Sequence, residues 1–284
     1  MSVLMDKYLS KSDIDNLNSL QKSILNKLVN VTCMGLYNHG KSSLLNALID
    51  DLEDSTFKTA DVRETTISKS FEYNNINFVD TPGLNAKEHD DKRVLDAVKE
   101  SDINIFVHTV TTGEFVEKEI EFLQHIKTNW NNPKDFIDRT IFVLSRVDKA
   151  NNQNDISNTI NKMQKQILEI FGLESIIIPV SASRYKQGML EGKNILIKKS
   201  NIVELKNNLH KLISKNIYFI MQTREQRLSY YYDNLLKNIE SKKQQKMLEL
   251  TKQKQEKVDF FKSLDSDICK IESTLEEMYK RLEE

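Results

Sequence analysis

The sequence predicts an α/β protein: a mostly parallel sheet wrapped by helices, with one antiparallel edge strand, an N-terminal helix on one flank and a long C-terminal helical hairpin on the other. Short β-branched apolar runs alternate with helical stretches through the middle of the chain, and strand–helix–strand succession implies parallel pairing. All seven glycines and all three prolines fall between Gly35 and Gly192, so both ends lack the strongest turn formers. From Ile202 to Glu284 there is neither glycine nor proline, and apolar residues recur at helical spacing. These features divide the chain into a helical arm over 1–29, an α/β domain over 30–200 and a helical neck or stalk, coiled-coil-like, over 201–284.

The elements follow in order. Residues 12–29 read as a helix capped by Ser12 or Asp13, with Ile14, Leu17, Leu20, Ile24 and Leu28 on one stripe. The runs "VNVTCMG", "INFVDT", "INIFVHTV", "TIFVLSRVD" and "SIIIPVSA" fit strands buried on both faces. Helices are expected at 41–50, about 91–100, 114–129 and 153–171. In "TTISKSFEYNNINFVD", the "NN" pair separates two strand-like runs and predicts a hairpin with an antiparallel edge strand. In the tail, Leu205, Leu209, Leu212, Asn216 and Ile220 mark one stripe, continued by Leu228, Tyr231, Leu235 and Ile239. Val258, Phe261, Leu264, Ile268, Ile271, Leu275, Met278 and Leu282 mark another at near-heptad spacing. A turn is expected within 257–267, at "DSD", followed by a returning helix.

Composition narrows the field. The 284 residues are 39% hydrophobic and 29% charged, enough for a real core, and a net charge of −1 points to no particular partner; no DNA is expected. Cys33 and Cys269 have neither metal-site nor disulfide-framework spacing. The start "MSVLMDKYLSKSD" lacks the apolar stretch of a signal peptide, and no apolar run reaches membrane-spanning length. A cytoplasmic location is expected, with peripheral contact at a membrane left open.

The chemistry concentrates at "GLYNHGKS", residues 35–42, which fits G-x-x-x-x-G-K-[ST]. Such a loop curls its main-chain N–H groups around phosphate oxygens, and Gly35 and Gly40 permit the tight path. The helix starting at Lys41 aims its positive end at the same phosphates. Tyr37, Asn38, His39 and Ser43 complete the cradle. Lys41 would reach the β- and γ-phosphates, and the Ser42 hydroxyl would ligate Mg²⁺. Further motifs follow in order. In "DTPG", Asp80 would hold Mg²⁺ through a water and the Gly83 N–H would meet the γ-phosphate. In "SRVDK", Asp148 can accept from guanine N1 and N2. In "SAS", Ser181, Ala182 and Ser183 can present N–H groups to guanine O6. In "RETT", Thr66, or Thr65 in its stead, can close over Mg²⁺ and the γ-phosphate.

This ordered set resembles the large GTPase family that includes Ras, Era, TrmE and dynamin, and "GLYNHGKSSLLNAL" with "VDTPGLN" looks most like bacterial dynamin-like proteins. The resemblance covers roughly residues 30–220. It implies a P-loop GTPase domain, GTP or GDP with Mg²⁺ as ligands, and turnover stimulated by dimerisation across the nucleotide face. That association would be with a second copy or with a related dynamin-like chain. Two positions depart from the wider pattern. Ser145 and Arg146 replace the usual Asn/Thr-Lys, with Arg146 able to stack on the base. Leu84 stands where Ras-type enzymes place a water-orienting glutamine, and His89 nearby reads as an exposed histidine. Asn38 occupies the position at which several members bind a monovalent cation, K⁺ being the candidate, beside the loop-stabilising role that asparagine also fills. The helical arms read as a neck that relays nucleotide state or as a static coiled-coil stalk. Lysines 242, 243, 246, 252, 254 and 257 read as a contact for anionic lipid or protein, or as a solvated helix face. Membrane remodelling by a dynamin-like GTPase leads. An Era/TrmE-type ribosome- or RNA-associated GTPase and a slow-turnover nucleotide-bound scaffold stand beside it.

Overall fold

The computed structural model describes residues 8–25, 28–57, 69–84, 94, 95, 97, 98, 100–129 and 132–283. These form two compact units, one of residues 25–222 and one combining 1–24 with 223–284.

In the larger unit six strands form one sheet: β1 (Val29–Met34), β2 (Lys69–Tyr73), β3 (Ile76–Asp80), β4 (Ile103–Thr109), β5 (Thr140–Ser145) and β6 (Ile177–Pro179), in the order β2-β3-β1-β4-β5-β6. All pairings are parallel except β2 with β3. The expected hairpin is present. Asn74 and Asn75 take φ of 49° and 61°, the left-handed pair that a tight two-residue turn requires. From β1 the sheet grows through β3 on one side and β4 on the other. The C-terminal end of β1 therefore sits where the strand order reverses, the usual place for a ligand in an open α/β sheet.

Alternating residues feed two cores. Val31, Ile105, Val143 and Ile178 join one, packed by Leu44, Leu45 and Leu48 of α2 (Lys41–Leu48) and by Ile202, Leu205 and Leu209. Met34, Phe106, Phe142 and Ile177 join the other, under α3 (Glu117–Asn129), α4 (Pro133–Asp138) and α5 (Gln153–Phe171). Each fully buried aliphatic side chain contributes roughly 1.5–3 kcal/mol, so the strand runs and the helix faces packed on them stabilise this unit together. Two short helices, α6 (Ala182–Glu191) and α7 (Asn194–Lys199), follow β6. Neither these nor α4 is anticipated by the sequence pattern. Each is under three turns long, which leaves room for few apolar repeats. Asn132 with Pro133 at the first position of α4 is nevertheless a start signal.

The tail departs from expectation. Residues Ile202–Glu283 form one helix, α8, with no turn in 257–267. The chain there has no glycine or proline, and Asp267 of the "DSD" triplet accepts from Lys270 along the helix at 3.2 Å. A side chain that makes an i,i+3 pair supports the helix instead of ending it. The near-heptad stripe of Val258, Phe261, Leu264, Ile268, Ile271, Leu275 and Met278 is exposed.

In the smaller unit, α1 (Lys11–Leu25) is capped by Ser10, not by Ser12 or Asp13. The Asp13 N–H donates to Ser10 Oγ at 3.1 Å and the Ser10 N–H returns to the Asp13 carboxylate at 3.0 Å, a reciprocal box. Within this unit α1 meets α8 through polar ties. Arg224 donates to the Ser23 carbonyl at 2.6 Å, Gln21 to the Tyr232 hydroxyl at 2.7 Å, and the Tyr231 hydroxyl to Asp13 at 3.3 Å. Leu17 and Leu235 are buried. No helix among the described residues is long and apolar enough to cross a membrane.

Candidate functional site

The strands' C-terminal ends gather the sequence motifs. Gly35 follows β1 at φ +143°, and a Cβ there would lie 2.2 Å from the Val107 carbonyl oxygen of β4. Only glycine lets the chain leave the sheet along this path. Asn38 (φ 60°) and Gly40 (φ 87°) supply two left-handed turns before α2 begins at Lys41. Gly40 precedes α2 with no side chain to cap it, so the first N–H groups of the helix lack the usual partner. Tyr37 and Asn38 are exposed, Ser43 is half-buried and His39 is buried.

The "DTPG" turn is laced to this loop. The Thr81 hydroxyl donates to the Cys33 carbonyl at 2.8 Å, the Leu84 N–H donates to the Gly35 carbonyl at 3.2 Å, and Leu36 bridges to Leu84. Leu84 is buried in the apolar core and cannot orient a water. Ser42 donates to Asp80 Oδ2 at 2.7 Å, while the other oxygen, Asp80 Oδ1, is buried with no hydrogen-bond partner. Burial pushes the Asp80 carboxyl above its ordinary range, against the opposing effects of Ser42 and Lys41. Lys41 is buried too. Its ammonium donates to the Gly35 and Leu36 carbonyls at 3.1 and 3.0 Å, and burial lowers its pKa against the pull of Asp80. A serine hydroxyl, a carboxylate with a buried orphan oxygen and an uncapped helix start are a donor set suited to a hard cation and an anion side by side.

The "SRVDK" motif meets the same loop, and "SAS" meets that motif. The Ser145 hydroxyl donates to the His39 carbonyl at 2.6 Å, so the serine in the asparagine position anchors the loop directly. Arg146 sits at φ +56°, with its Nε 3.7 Å from where a Cβ on Gly40 would be. Ser181 caps α6, accepting the Arg184 N–H at 3.1 Å, and donates to Asp148 Oδ1 at 2.5 Å. Ser183 Oγ lies 3.0 Å from Ser181 Oγ, and Ala182 opens the helix between them. Asp148 therefore has one oxygen held from behind by Ser181. Thr65, Thr66 and His89 lie outside the described residues.

Sequence reasoning missed one group. Buried His39 of the loop meets buried His108 and Glu119, brought in by the end of β4 and the start of α3. A histidine inside the buried, mostly apolar run "INIFVHT" is the signal that was available.

A family model described as 50S ribosome-binding GTPase matches residues 30–172. An uncharacterized protein of Acinetobacter baylyi is 33% identical over 188 residues, 65% of this chain and 42% of that protein. The matched stretch thus spans less than half of that relative. Among solved structures, the LeoA bacterial dynamin GTPase from ETEC aligns over 80% of this chain and 43% of its own, with TM-score 0.57 and 14% identity. A chain from an oligomerised bacterial dynamin pair, described as providing a mechanism for long-range sensing and tethering of membranes, aligns over 99% of this chain and 62% of its own. Its TM-score is 0.53 and its identity 18%. Both likenesses concern the fold.

Proposed function

The chain belongs to the 50S ribosome-binding GTPase family, and from that premise we propose that it binds GTP and GDP with Mg²⁺ and hydrolyses GTP as a dynamin-like protein. The observation that carries the site assignment is the Ser42–Asp80 pair with its orphan oxygen, set beside the uncapped start of α2. Ser42 and Asp80, joined by Thr66 or Thr65, are the residues that would hold Mg²⁺. When bound, the ion neutralises charge on the β- and γ-phosphates. Lys41 exchanges its bonds to the Gly35 and Leu36 carbonyls for phosphate oxygens. The main-chain N–H groups from Tyr37 to Ser43, with that of Gly83, bind the remaining phosphate oxygens. Asp148, braced by Ser181, accepts from guanine N1 and N2, Arg146 covers the base, and the Ala182 and Ser183 N–H groups face O6.

Residues 30–200 serve as the GTPase domain, with 1–29 and 201–284 as its neck. The hydrogen-bonded pairing of α1 with α8 supports the neck reading. Buried Leu84 offers no water-orienting group, so turnover in this reading depends on self-association across the nucleotide face, by a second copy or a related chain. Asn38, exposed at the loop, would hold K⁺ there. The exposed lysines of 242–257 supply contact to an anionic membrane surface from a cytoplasmic location. Leu84 also favours a second reading, a slow-turnover nucleotide-bound scaffold.

The test is GTP turnover per chain as protein concentration rises, in K⁺ and in Na⁺, with Lys41→Ala as the binding-dead control. The dynamin-like reading expects activity that climbs with concentration and falls in Na⁺. A flat, slow profile selects the scaffold. Normal GTP affinity in Lys41→Ala contradicts the site itself. Sedimentation with anionic liposomes and with ribosomes separates membrane work from an Era/TrmE-type role.

A further inference from the structure

Glu119 is wholly buried at the start of α3, and its charge needs a partner there. His108 Nδ1 lies 3.0 Å from Glu119 Oε1 and 2.9 Å from Oε2, and Oε2 also accepts the Val116 N–H at 3.1 Å. His108 Nε2 lies 2.8 Å from the Gly113 carbonyl and 3.2 Å from Thr112 Oγ1. A carbonyl only accepts, so Nε2 carries a hydrogen. Nδ1 is then the nitrogen that faces the carboxylate, with a second proton or with its lone pair. The third member is His39. Its Nδ1 lies 3.3 Å from Glu119 Oε1 yet makes no hydrogen bond, and it is buried. A proton on His108 would explain the first contact, and the His39 contact to Glu119 Oε1 remains an ion-pair approach at 3.3 Å that falls outside hydrogen-bond geometry.

We propose that His39, His108 and Glu119 form a binding site for a zinc-class divalent transition metal, held by two imidazole nitrogens and the carboxylate. One ion supplies the buried countercharge and bonds directly to the His39 nitrogen that now only approaches Glu119. The three ligand atoms already lie within 4.8 Å of one another. Bonds of about 2.0–2.2 Å in tetrahedral geometry need donors about 3.3 Å apart, close to the contacts Glu119 makes with both histidines. The outer nitrogen of His108 is held by a main-chain carbonyl, the arrangement that fixes the tautomer of metal-bound histidines. Two imidazoles and one carboxylate suit zinc better than magnesium or calcium, which favour all-oxygen shells. The ligands come from the phosphate loop, β4 and α3, so the ion pins the loop from behind. Neither Ser42 nor Asp80 is a ligand, and His39 would give the phosphate cradle only its main-chain N–H while its ring faces Glu119, so zinc binding and nucleotide binding are read out separately.

The test uses the full chain, stripped with chelator and titrated with zinc chloride against a chromophoric competitor, then with cobalt chloride as a visible reporter. One equivalent of zinc per chain is expected, with cobalt giving the absorption of a four-coordinate nitrogen–oxygen site. His108→Gln and Glu119→Gln should each weaken zinc binding by at least about 10-fold. Ser42→Ala, and the double substitution of exposed His125 and His210 by glutamine, should keep the single equivalent. Absence of saturable zinc binding by the unaltered chain overturns the proposal, whether or not the variants fold. So does undiminished binding in His108→Gln and Glu119→Gln, or loss of the site on removing His125 and His210.

Discussion

Replacing Gly83 by alanine tests the lacing between the "DTPG" turn and the phosphate loop. A Cβ there would lie 2.6 Å from Tyr37 Cα and 2.7 Å from Tyr37 N, both main-chain atoms. Ordinary contact begins near 3.4 Å, so the loop or the turn must give by about 0.8 Å (3.4 less 2.6). Gly83 has no left-handed φ, so the whole effect is steric. Overpacking of this kind costs about 1–3 kcal/mol. At roughly 2–4 °C per kcal/mol for a domain of this size, Tm should fall by roughly 2–12 °C. The larger effect falls on binding and turnover, because a misplacement near 1 Å in a preorganised site costs on the order of 100-fold. Gly172→Ala is the control. It sits at φ +70° with nothing within 4 Å, so it costs stability of order 1 kcal/mol without touching the loop. Thermal melts and GTP titrations of both variants are the assay. Wild-type GTP affinity in Gly83→Ala, or equal losses of affinity in both variants, would refute the steric argument.

Ser145→Ala should lower stability by about 1–2 kcal/mol, because it removes the donor at 2.6 Å from the His39 carbonyl; denaturant melts with and without GDP would show the loss in both. At Asp51, burial works against ionisation, but the Thr56 and Glu53 N–H groups and the Ser55 hydroxyl hold the carboxyl down at about 2. Its folded value lies below its unfolded one, near 3.8, so its stabilisation is whole above about pH 4 and is lost as pH falls toward 2. Asp51→Asn should therefore be less stable than wild type at pH 7, with the gap closing in acid, and a constant gap down to pH 3 would contradict this. Arg224→Ala removes the 2.6 Å tie to Ser23 and should speed hydrogen exchange in α1 while leaving GTP affinity within about twofold; unchanged exchange would show that the tie does not hold α1.

The sheet was legible because parallel strands buried on both faces leave an unbroken apolar signature, and the Asn74–Asn75 turn announces itself by residue type. The phosphate loop was legible because its glycines, lysine and serine are contiguous. The tail turn was misread. Asp265, Ser266 and Asp267 are turn formers in isolation, but without glycine or proline nearby the helix continues and recruits Asp267 into a pair with Lys270. The cap was misplaced by a few residues because Ser10, Ser12 and Asp13 all qualify by type, and only geometry shows which hydroxyl meets the free N–H. The tie from Ser145 to the His39 carbonyl is not legible in the sequence, since it depends on how closely β5 approaches the loop. His108 and Glu119 escaped notice because they meet His39 only through the fold.

The most direct test of the account is a calorimetric titration of the chain and of Asp148→Asn with GTP, ATP and xanthosine triphosphate in Mg²⁺. In the proposed cradle Asp148 accepts from the N1–H and N2–H of guanine, while an amide there would offer a donor to the O2 of xanthine. The wild-type chain should bind one GTP, with ATP weaker by roughly 100-fold or more, and the variant should lose GTP and gain xanthosine triphosphate. Equal heats for GTP and ATP in the wild type, or GTP binding unchanged in Asp148→Asn, would contradict the assignment of this site as a guanine nucleotide cradle.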